Sequence, residues 1–337
     1  MDMIVEVMKV AIWGAGKMGQ VHGQAYKGMG KDVEIAYIVE RDAGKAAEFS
    51  GRFQCRAIDD VSGLEGKHID MIDICLPTYL HREAIEQALD LCDYIFCEKP
   101  VCLTRDDYYG LCRIADTKTC HLMVGQVLRF WNGYVRAREM VLNGEIGRPR
   151  LITCFRRQKM PSWSKGNWLM DNRQSGGLLM DLCIHDIDYL YWLLGTPEQV
   201  SCKIVEREET TLHGILNIVY SDCCANVVGS WGMPEGFHDG GLESMLEIVG
   251  DTGMITYSGG DCLELIRGNE KQCISLEHED GYEEELKYFV ECVKCQKEPE
   301  QSNLFSVEGT MKILWAAKEA ADSRQFISID ARQLCKQ

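Results

Sequence analysis

The stretch Met-Lys-Val-Ala-Ile-Trp-Gly-Ala-Gly-Lys-Met-Gly, residues 8–19, decides the fold. Its first six residues form an apolar strand pattern, glycines follow at Gly14, Gly16 and Gly19, and a helical pattern begins at once. Such glycines permit a tight turn, close approach of the backbone to a pyrophosphate, and contact between helix and strand. The stretch therefore predicts a nucleotide-binding βαβ unit, in which the backbone N–H groups of Lys17 and Met18 bind the phosphates.

The second predicted strand ends at an acidic residue, Glu40, which lies 21 residues after Gly19. A carboxylate at this place hydrogen-bonds the ribose hydroxyls of NAD and repels the 2′-phosphate of NADP. The neighbouring Arg41 leaves an alternative open, because a guanidinium can stack on adenine or pair with a phosphate. Glu40 therefore favours NAD over NADP as the cofactor. The other interpretation of Glu40 is an ordinary solvated charge at a strand end.

The first third of the chain alternates short apolar strands with helical patterns, and the later part does not. The alternation predicts a doubly wound parallel sheet, a dinucleotide-binding Rossmann domain over residues 1–127. After residue 128, a first helix is predicted over 132–142, and a second helix, over 177–194, is followed by several strands without helices between them. This succession predicts an α+β domain over residues 128–337, with a large, mostly antiparallel open sheet and that helix on its inner face. The last helix could pack back on the Rossmann domain.

Charge and cysteine content limit the class of function. The chain has 337 residues, 36 basic and 52 acidic side chains and a formal charge of −16, which repels nucleic acid and anionic membranes. No apolar run approaches the roughly 20 residues of a membrane-spanning helix, so we expect a cytosolic protein that acts on small molecules. Most of the 17 cysteines lie in apolar patterns, which predicts reduced, buried thiols. The pair Cys292 and Cys295 lacks further ligands at zinc spacing, so no metal is expected.

Residues that directly follow the parallel strands are the first candidates for ligand binding, because ligands bind at the carboxyl ends of such strands. Lys99 lies between an apolar strand and a proline, where its ammonium group could donate a hydrogen bond or a proton to a substrate oxygen. The alternative is an exposed lysine paired with Glu98. Besides the glycine turn, Glu40 and Arg41, the predicted cofactor-binding residues are Leu76, Pro77, Thr78, His81, Glu98, Lys99 and Gln126.

A second group of candidate residues lies on the predicted helix that begins at Gly176 and Gly177. Asp181 and His185 are four residues apart and therefore share a helical face, where a carboxylate can orient an imidazole. Asp188 is predicted to lie further along the same face. Histidine can take a hydroxyl proton while a hydride leaves the same carbon for a nicotinamide. The alternative is a histidine whose hydrogen bonds are satisfied in the core.

The motifs in series resemble those of the Gfo/Idh/MocA family, which includes glucose-fructose oxidoreductase and inositol dehydrogenase. They are GxGxxG, the acid after the second strand, Pro-Thr-x-x-His at 77–81, Glu-Lys-Pro at 98–100, and Gly-Gly-x-x-x-Asp-x-x-x-His-Asp at 176–186. The resemblance spans essentially the whole chain. It implies oxidation of a sugar or cyclitol, with Lys99, Asp181 and His185 as the catalytic group. It also implies a homodimer or homotetramer formed through the sheet of the second domain.

The same resemblance places substrate-facing residues in two further regions, 129–132 and the loop 163–168 that begins at Trp163. Amide, charged and aromatic side chains commonly hold polyols, whereas simple loop packing is the alternative. The predicted substrate-binding residues are Lys99, Arg129, Trp131, Asn167, Trp168, Asp181 and His185.

The sequence therefore predicts an NAD-dependent dehydrogenase that acts on a secondary hydroxyl of a cyclitol, sugar or sugar derivative. A second hypothesis is an epimerase or glycoside-cleaving enzyme whose tightly bound NAD is reduced and reoxidised within one cycle. A third hypothesis, from another class, is a non-catalytic NAD-dependent sugar sensor or regulator. The combination of Lys99, Asp181 and His185 argues against the sensor, because a binding module needs no base.

Overall fold

The structure, a computed structural model, describes residues 7–161, 165–207, 210–237 and 241–329. The chain forms two compact units, and each unit consists of two segments. Unit 1 contains the residues up to Gly125 together with Gly281–Ser306, and unit 2 contains Gln126–Asp280 together with the residues from Val307 onward. The boundaries between the compact units therefore lie after residues 125, 280 and 306, whereas the sequence predicts a single domain boundary, after residue 127.

Unit 1 is built on a parallel sheet. Its strands are β1 (Met8–Trp13), β2 (Val33–Val39), β3 (Arg56–Ile58), β4 (Met71–Ile74), β5 (Tyr94–Glu98) and β6 (His121–Gly125). The helices of this unit are α1 (Lys17–Gly28), α2 (Ala43–Phe53), α3 (His81–Ala88), α4 (Arg105–Ala115) and, from the second segment, α8 (Gly281–Lys294). The strand order is β3-β2-β1-β4-β5-β6, and all neighbouring strands are parallel. This is the order of a Rossmann fold, so the predicted doubly wound sheet is confirmed.

Unit 2 contains a nine-stranded sheet. Its strands are β7 (Pro149–Arg157), β8 (Gln199–Arg207), β9 (Thr210–Val219), β10 (Cys224–Ser230), β11 (Glu243–Gly250), β12 (Gly253–Tyr257), β13 (Cys262–Arg267), β14 (Glu270–Ser275) and β15 (Ile327–Ser328). The helices of unit 2 are α5 (Asn132–Leu142), α6 (Asn172–Ser175), α7 (Ile184–Leu194) and α9 (Glu308–Ser323). The order is β14-β13-β12-β11-β7-β10-β9-β8-β15, in which β7 and β10 pair in parallel and the other pairs are antiparallel. The predicted mostly antiparallel sheet is confirmed.

The helices of unit 2 differ from the prediction in two ways. The predicted helix over 177–194 is interrupted by a π-helical segment, Leu179–Cys183, which directly precedes α7. The sheet also contacts α5 and α9 as well as α7, so it has more than the one predicted helix against it.

The cysteines partly contradict the expectation of reduced thiols. A disulfide joins Cys262 of β13 to Cys273 of β14. For this pair the prediction was wrong, because the two residues lie on adjacent strands of a hairpin that sequence analysis did not identify. The other described cysteines are free thiols, and among them Cys292 is buried and Cys295 is exposed. None of the helices in the described ranges is both long and apolar enough to cross a bilayer.

Candidate active site

The three glycines after β1 have different structural roles. Gly14 has a φ of +110°, and a Cβ built on it would lie 2.7 Å from the carbonyl oxygen of Cys75. A Cβ on Gly19 would lie 2.0 Å from the carbonyl oxygen of Gly14, so this glycine allows α1 to contact the turn. A Cβ on Gly16 would meet no described atom within 4 Å. Gly16 therefore lies beside open space, as a turn that receives a pyrophosphate requires.

This difference predicts opposite effects for two alanine substitutions. We expect Gly19→Ala to lower the free energy of unfolding by about 2–3 kcal/mol, because its methyl group collides with backbone. Gly16→Ala, whose φ of −72° suits alanine, should change it by less than about 0.5 kcal/mol. Gly16→Ala should instead weaken NAD binding by about tenfold, because the methyl group occupies the space of the phosphates. Urea unfolding and NAD titration measure both effects; equal losses of stability would contradict this assignment.

Glu40 follows β2 and lies against the glycine turn. Its Oε2 accepts the backbone N–H of Ala15 at 3.0 Å, and its Oε1 accepts that of Asp42 at 2.9 Å. Each carboxylate oxygen has two lone pairs, so both oxygens can accept a further hydrogen bond from a ribose hydroxyl. The Arg41 side chain is 86% exposed, and its nearest acidic partner, Asp60, is 4.0 Å away. The structure thus places the acid, rather than the guanidinium, against the turn.

His81 connects the segments that follow β4 and β5. Its Nδ1 lies 2.8 Å from the carbonyl oxygen of Pro100, and its Nε2 lies 2.8 Å from that of Leu76. Burial lowers the pKa of His81, so the ring is neutral at pH 7 and donates to one of these carbonyls at a time. Because both ring nitrogens face backbone carbonyls, neither is directed at a ligand. Pro77 and the buried Thr78 lie between Leu76 and His81 in sequence.

Glu98 and Lys99 lie at the carboxyl end of β5, but their side chains have different surroundings. Glu98 is buried, whereas Lys99 is half-buried. The Glu98 carboxylate turns inward: its Oε2 accepts the backbone N–H of Lys99 at 3.0 Å, and its Oε1 lies 3.2 Å from Nε2 of His22. The Glu98 carboxylate is therefore not exposed at the sheet edge, since the residue is buried and its two oxygens contact His22 and the Lys99 backbone.

Sequence analysis missed the buried residue His22, which lies on α1 three positions after Gly19. Its Nδ1 is 2.9 Å from Oδ2 of Asp73, the one acidic residue of β4, and the Tyr26 hydroxyl donates to the same oxygen at 3.0 Å. All three side chains are fully buried. The available signal was a histidine and a tyrosine four residues apart on a helix, opposite an acid in an otherwise apolar strand.

Electrostatic interactions make His22 the cation of this network. Burial alone would lower the pKa of His22, but the charges of Asp73 and Cys75, with the hydrogen bonds to them, together outweigh burial and raise the pKa well above its usual range. Burial alone would raise the pKa of Glu98, but the hydrogen bond and charge of His22, with the charge of Lys99, lower that pKa. The stabilisation from His22 is complete below about pH 6.5 and is lost as pH rises through the raised pKa. That from Glu98 is present above about pH 4.3 and is lost as pH falls through the lowered pKa.

Asp181 and His185 belong to unit 2 and share one property. Within the stretch 178–190, all of which is described, they are the two residues that are not buried. Asp181 lies in the π-helical segment and His185 in the first turn of α7. Their spacing and exposure place both on the side of the helix that leaves the core. π-helical segments are rare and are frequent at functional sites, so this interruption marks the helix as a candidate site.

Arg129, one of the predicted substrate contacts, lies in a buried ion pair. Its side chain is 2% exposed, and it donates to both oxygens of Asp188, from Nε at 2.8 Å and from Nη2 at 2.7 Å. The hydroxyl of Thr310 donates to the same carboxylate at 2.7 Å. One edge of the guanidinium, Nε and Nη2, is thus taken up by Asp188, and the substrate contact of Arg129 stays a prediction. Asp188 is likewise buried and does not accompany Asp181 on the open face.

The remaining predicted contacts also lie in unit 2. Gln126 is 1% exposed, and neither its amide oxygen nor its amide nitrogen has a hydrogen-bond partner among the described residues. A buried amide without partners is costly and is typical of a group that binds a ligand. Trp131 and Trp168 are half-buried, and Asn167 is exposed with a φ of +55°. Trp163 lies outside the described residues.

Comparison with known proteins agrees with this architecture. Residues 8–126 match the family described as oxidoreductase family, NAD-binding Rossmann fold, and residues 134–256 match the GFO/IDH/MocA C-terminal domain. The chain belongs to the Gfo/Idh/MocA family of oxidoreductases, and its first unit has an NAD-binding Rossmann fold.

Individual relatives show how far the similarity extends. The chain is 30% identical over 190 residues to an inositol 2-dehydrogenase of Rhizobium meliloti, which covers 56% of this chain and 55% of that protein. It thus spans about half the length of that curated relative. A myo-inositol 2-dehydrogenase of Thermotoga maritima is 26% identical over 351 residues, 96% of this chain and 99% of its own. The fold is shared with a levoglucosan dehydrogenase solved with NADH and levoglucosan, at a TM-score of 0.85 and 19% identity, with 96% and 99% of the two chains covered.

Proposed function

We propose that the protein is an NAD-dependent dehydrogenase acting on a secondary hydroxyl of a cyclitol, sugar or sugar derivative. The observation that carries the proposal is the pair Asp181 and His185, a base and a carboxylate four residues apart that alone leave the core in their stretch of helix. Within unit 1, the space beside Gly16 fits a dinucleotide, and within unit 2, the unpartnered amide of Gln126 fits a group that binds a ligand. The inositol dehydrogenases among the relatives support the substrate class.

Each catalytic residue has a distinct proposed role. His185 takes the proton of the substrate hydroxyl, and Asp181 stabilises the imidazolium that forms. Lys99 donates a hydrogen bond to the substrate oxygen and stabilises the negative charge that develops on this oxygen when the proton leaves. NAD supplies the hydride acceptor when bound. Trp131, Asn167 and Trp168 are the proposed contacts to the other substrate hydroxyls, whereas Arg129 is paired with Asp188 in the core.

The proposal is tested by incubating the protein with NAD and a panel of polyols, including myo-inositol and levoglucosan. We expect the absorbance of reduced nicotinamide to increase with at least one polyol. If the protein binds NAD and a polyol of the panel but reduces NAD with none of the polyols, the dehydrogenase assignment is wrong and the sensor hypothesis is favoured. Turnover of a sugar without net cofactor reduction would instead favour the recycled-NAD hypothesis.

The choice between NAD and NADP rests on Glu40. We expect the unmodified protein to bind NAD at least about tenfold more tightly than NADP, because the carboxylate repels a 2′-phosphate. Glu40→Ala should narrow this difference in affinity, because it weakens the binding of NAD and strengthens the binding of NADP. Arg41→Ala, at an exposed position, should leave the affinity for NAD nearly unchanged. Titration of both cofactors into the three proteins measures this. Equal affinities in the unmodified protein would disprove the proposed preference.

We also propose that a second copy of this chain covers the open face of the sheet in unit 2. The strand register aligns Ile215, Val228, Phe155 and Met245 in one row across four neighbouring strands. None of these side chains is fully buried, and Ile215 is 48% exposed. A row of solvent-accessible apolar side chains is typical of a protein–protein interface.

We therefore expect Ile215→Lys to dissociate the oligomer, because a charge would be buried at the interface. Leu142→Lys is the matched control, since Leu142 is also exposed but ends α5 rather than lying on this face. Light scattering after size exclusion gives the mass of each protein. A monomeric unmodified chain, or an Ile215→Lys variant with unchanged mass, would contradict the proposed interface.

A further inference from the structure

We propose that His22 is a positioning residue for Lys99 and that it acts through the Glu98 carboxylate. The inference rests on the proposed function, in which Lys99 contacts the reacting oxygen. It adds His22, a residue of α1 for which no contact with cofactor or substrate is predicted. All the contacts that support it lie within unit 1.

The Glu98 carboxylate joins His22 to the backbone of Lys99. One oxygen lies 3.2 Å from Nε2 of His22, and the other accepts the backbone N–H of Lys99 at 3.0 Å. A carboxylate that accepts on both oxygens is fixed in its plane, so its orientation depends on both partners. If His22 no longer holds one oxygen, Glu98 can rotate, and the Lys99 amide loses its partner.

His22 is itself held on the opposite side of its ring. Its Nδ1 lies 2.9 Å from Asp73, which also accepts the hydroxyl of Tyr26 at 3.0 Å. The chain of contacts therefore runs from β4 through α1 to the end of β5. Because every side chain in it is buried, water cannot replace a lost partner easily.

A second histidine holds the residue that follows Lys99. Nδ1 of His81 lies 2.8 Å from the carbonyl oxygen of Pro100. The peptide before Lys99 and the peptide after Pro100 thus both have buried side-chain partners. A lysine side chain has four rotatable bonds, so fixing its backbone limits where the ammonium group can reach. A displacement of about 1 Å at a reacting group can cost on the order of 100-fold in rate.

The same cluster contains residue types that bind metals, which gives an alternative occupant. Asp73 and Cys75 with His22, and Glu98 and Glu285 with His22, have potential ligand atoms within 4.8 Å of one another. Two ligands of one tetrahedral zinc ion lie about 3.4 Å apart, given metal–ligand distances near 2.1 Å. The 2.9 Å between His22 and Asp73 is the length of a direct hydrogen bond. The geometry therefore favours hydrogen bonding over an ion.

The experiment compares two variants, His22→Gln and His22→Asn, in which an uncharged amide replaces the imidazole. The nitrogen of His22→Gln can take the place of Nε2 and donate to Glu98, whereas that of His22→Asn takes the place of Nδ1 and faces Asp73. Glu98→Gln tests the same link without changing α1. Tyr108→Phe is the control, because it removes a buried hydrogen bond of unit 1, from the Tyr108 hydroxyl to the Leu304 carbonyl.

For each variant we would measure kcat and KM with a substrate from the polyol panel, the Kd for NAD, thermal stability, and the rate at which an amine-acylating reagent modifies Lys99. We expect His22→Asn and Glu98→Gln to lower kcat by about 10- to 100-fold and to raise the Lys99 acylation rate severalfold, with the Kd for NAD within about twofold. His22→Gln should keep more of the turnover than His22→Asn. Tyr108→Phe should lower stability and change neither kcat nor acylation.

Several results would overturn the proposal. One such result is that the folded His22→Asn and Glu98→Gln variants keep the kcat and the Lys99 acylation rate of the unmodified protein. Another is that His22→Asn and His22→Gln lose kcat equally and in proportion to their loss of stability. The proposal would also be overturned if the protein contained one equivalent of metal and if removing this metal with a chelator lowered kcat and raised the Lys99 acylation rate. If Lys99→Ala keeps its turnover, the proposed function of Lys99 fails instead, and the acylation rate still tests the positioning. If His22→Asn does not fold, Glu98→Gln and His22→Gln decide the outcome.

Discussion

Replacing His185 by alanine is expected to lower kcat by about two to four powers of ten, with the affinity for NAD nearly unchanged. A proton-accepting group acts mainly in the transition state, so its removal affects turnover more than cofactor recognition. Lys99→Ala should have an effect of similar size, and Asp181→Asn a smaller one if Asp181 only stabilises the imidazolium. In the unmodified protein, the rate of oxidation should rise with pH as the base loses its proton.

Two comparisons make this prediction specific. His278→Ala removes an exposed histidine of the same unit and should leave kcat within about twofold, because surface substitutions away from a site have small effects. The double variant of Lys99 and His185 should lose less than the product of the two single losses, since residues that act together are not additive. Near-normal turnover of His185→Ala on the true substrate would show that another group takes the proton.

The largest expected loss of stability follows from the buried pair of Arg129 and Asp188. Asp188→Ala leaves the guanidinium without its charged partner in the core, which costs about 3–5 kcal/mol, and Thr310 also loses a hydrogen bond. Lys271→Ala, which removes the exposed pair with Glu264, should cost less than about 1 kcal/mol. Urea unfolding measures both.

The double replacement of Arg129 by Met and Asp188 by Leu should be less destabilised than Asp188→Ala, because no buried charge remains unpaired. If Asp188→Ala instead kept its stability and lost affinity for substrate, Arg129 would face the substrate, as the sequence suggested.

Local patterns were sufficient to predict most of the fold. β1 has the predicted bounds, residues 8–13, because it is a short apolar run that ends at a turn, and the glycine spacing indicated the start of α1. The helix α2 was missed because two glycines, Gly44 and Gly51, weaken its helical signal. The hairpin of β13 and β14 was missed because β14 lies at the edge of the sheet and is mostly exposed, so it lacks alternating apolar residues.

The direction of buried polar side chains could not be predicted in this way. Sequence analysis identified Glu98 and Arg129 as polar residues near strand ends, but their partners, His22 and Asp188, are 76 and 59 residues away. Local periodicity carries no information on such pairs. The π-helical segment around Asp181 is similarly invisible to a pattern with a 3.6-residue period, although the spacing of Asp181 and His185 was sufficient to identify them as candidates.

The most direct test of the proposed dehydrogenase follows the hydrogen on the carbon that carries the reacting hydroxyl. A polyol from the panel, deuterated at that carbon, would be incubated with the protein and NAD, and the products examined by NMR. We predict that deuterium appears on one face of the nicotinamide ring at C4, in an amount equal to the ketone formed. Deuterium that stays on the sugar, or exchanges into water without reduction of NAD, would contradict hydride transfer to the cofactor as the net reaction.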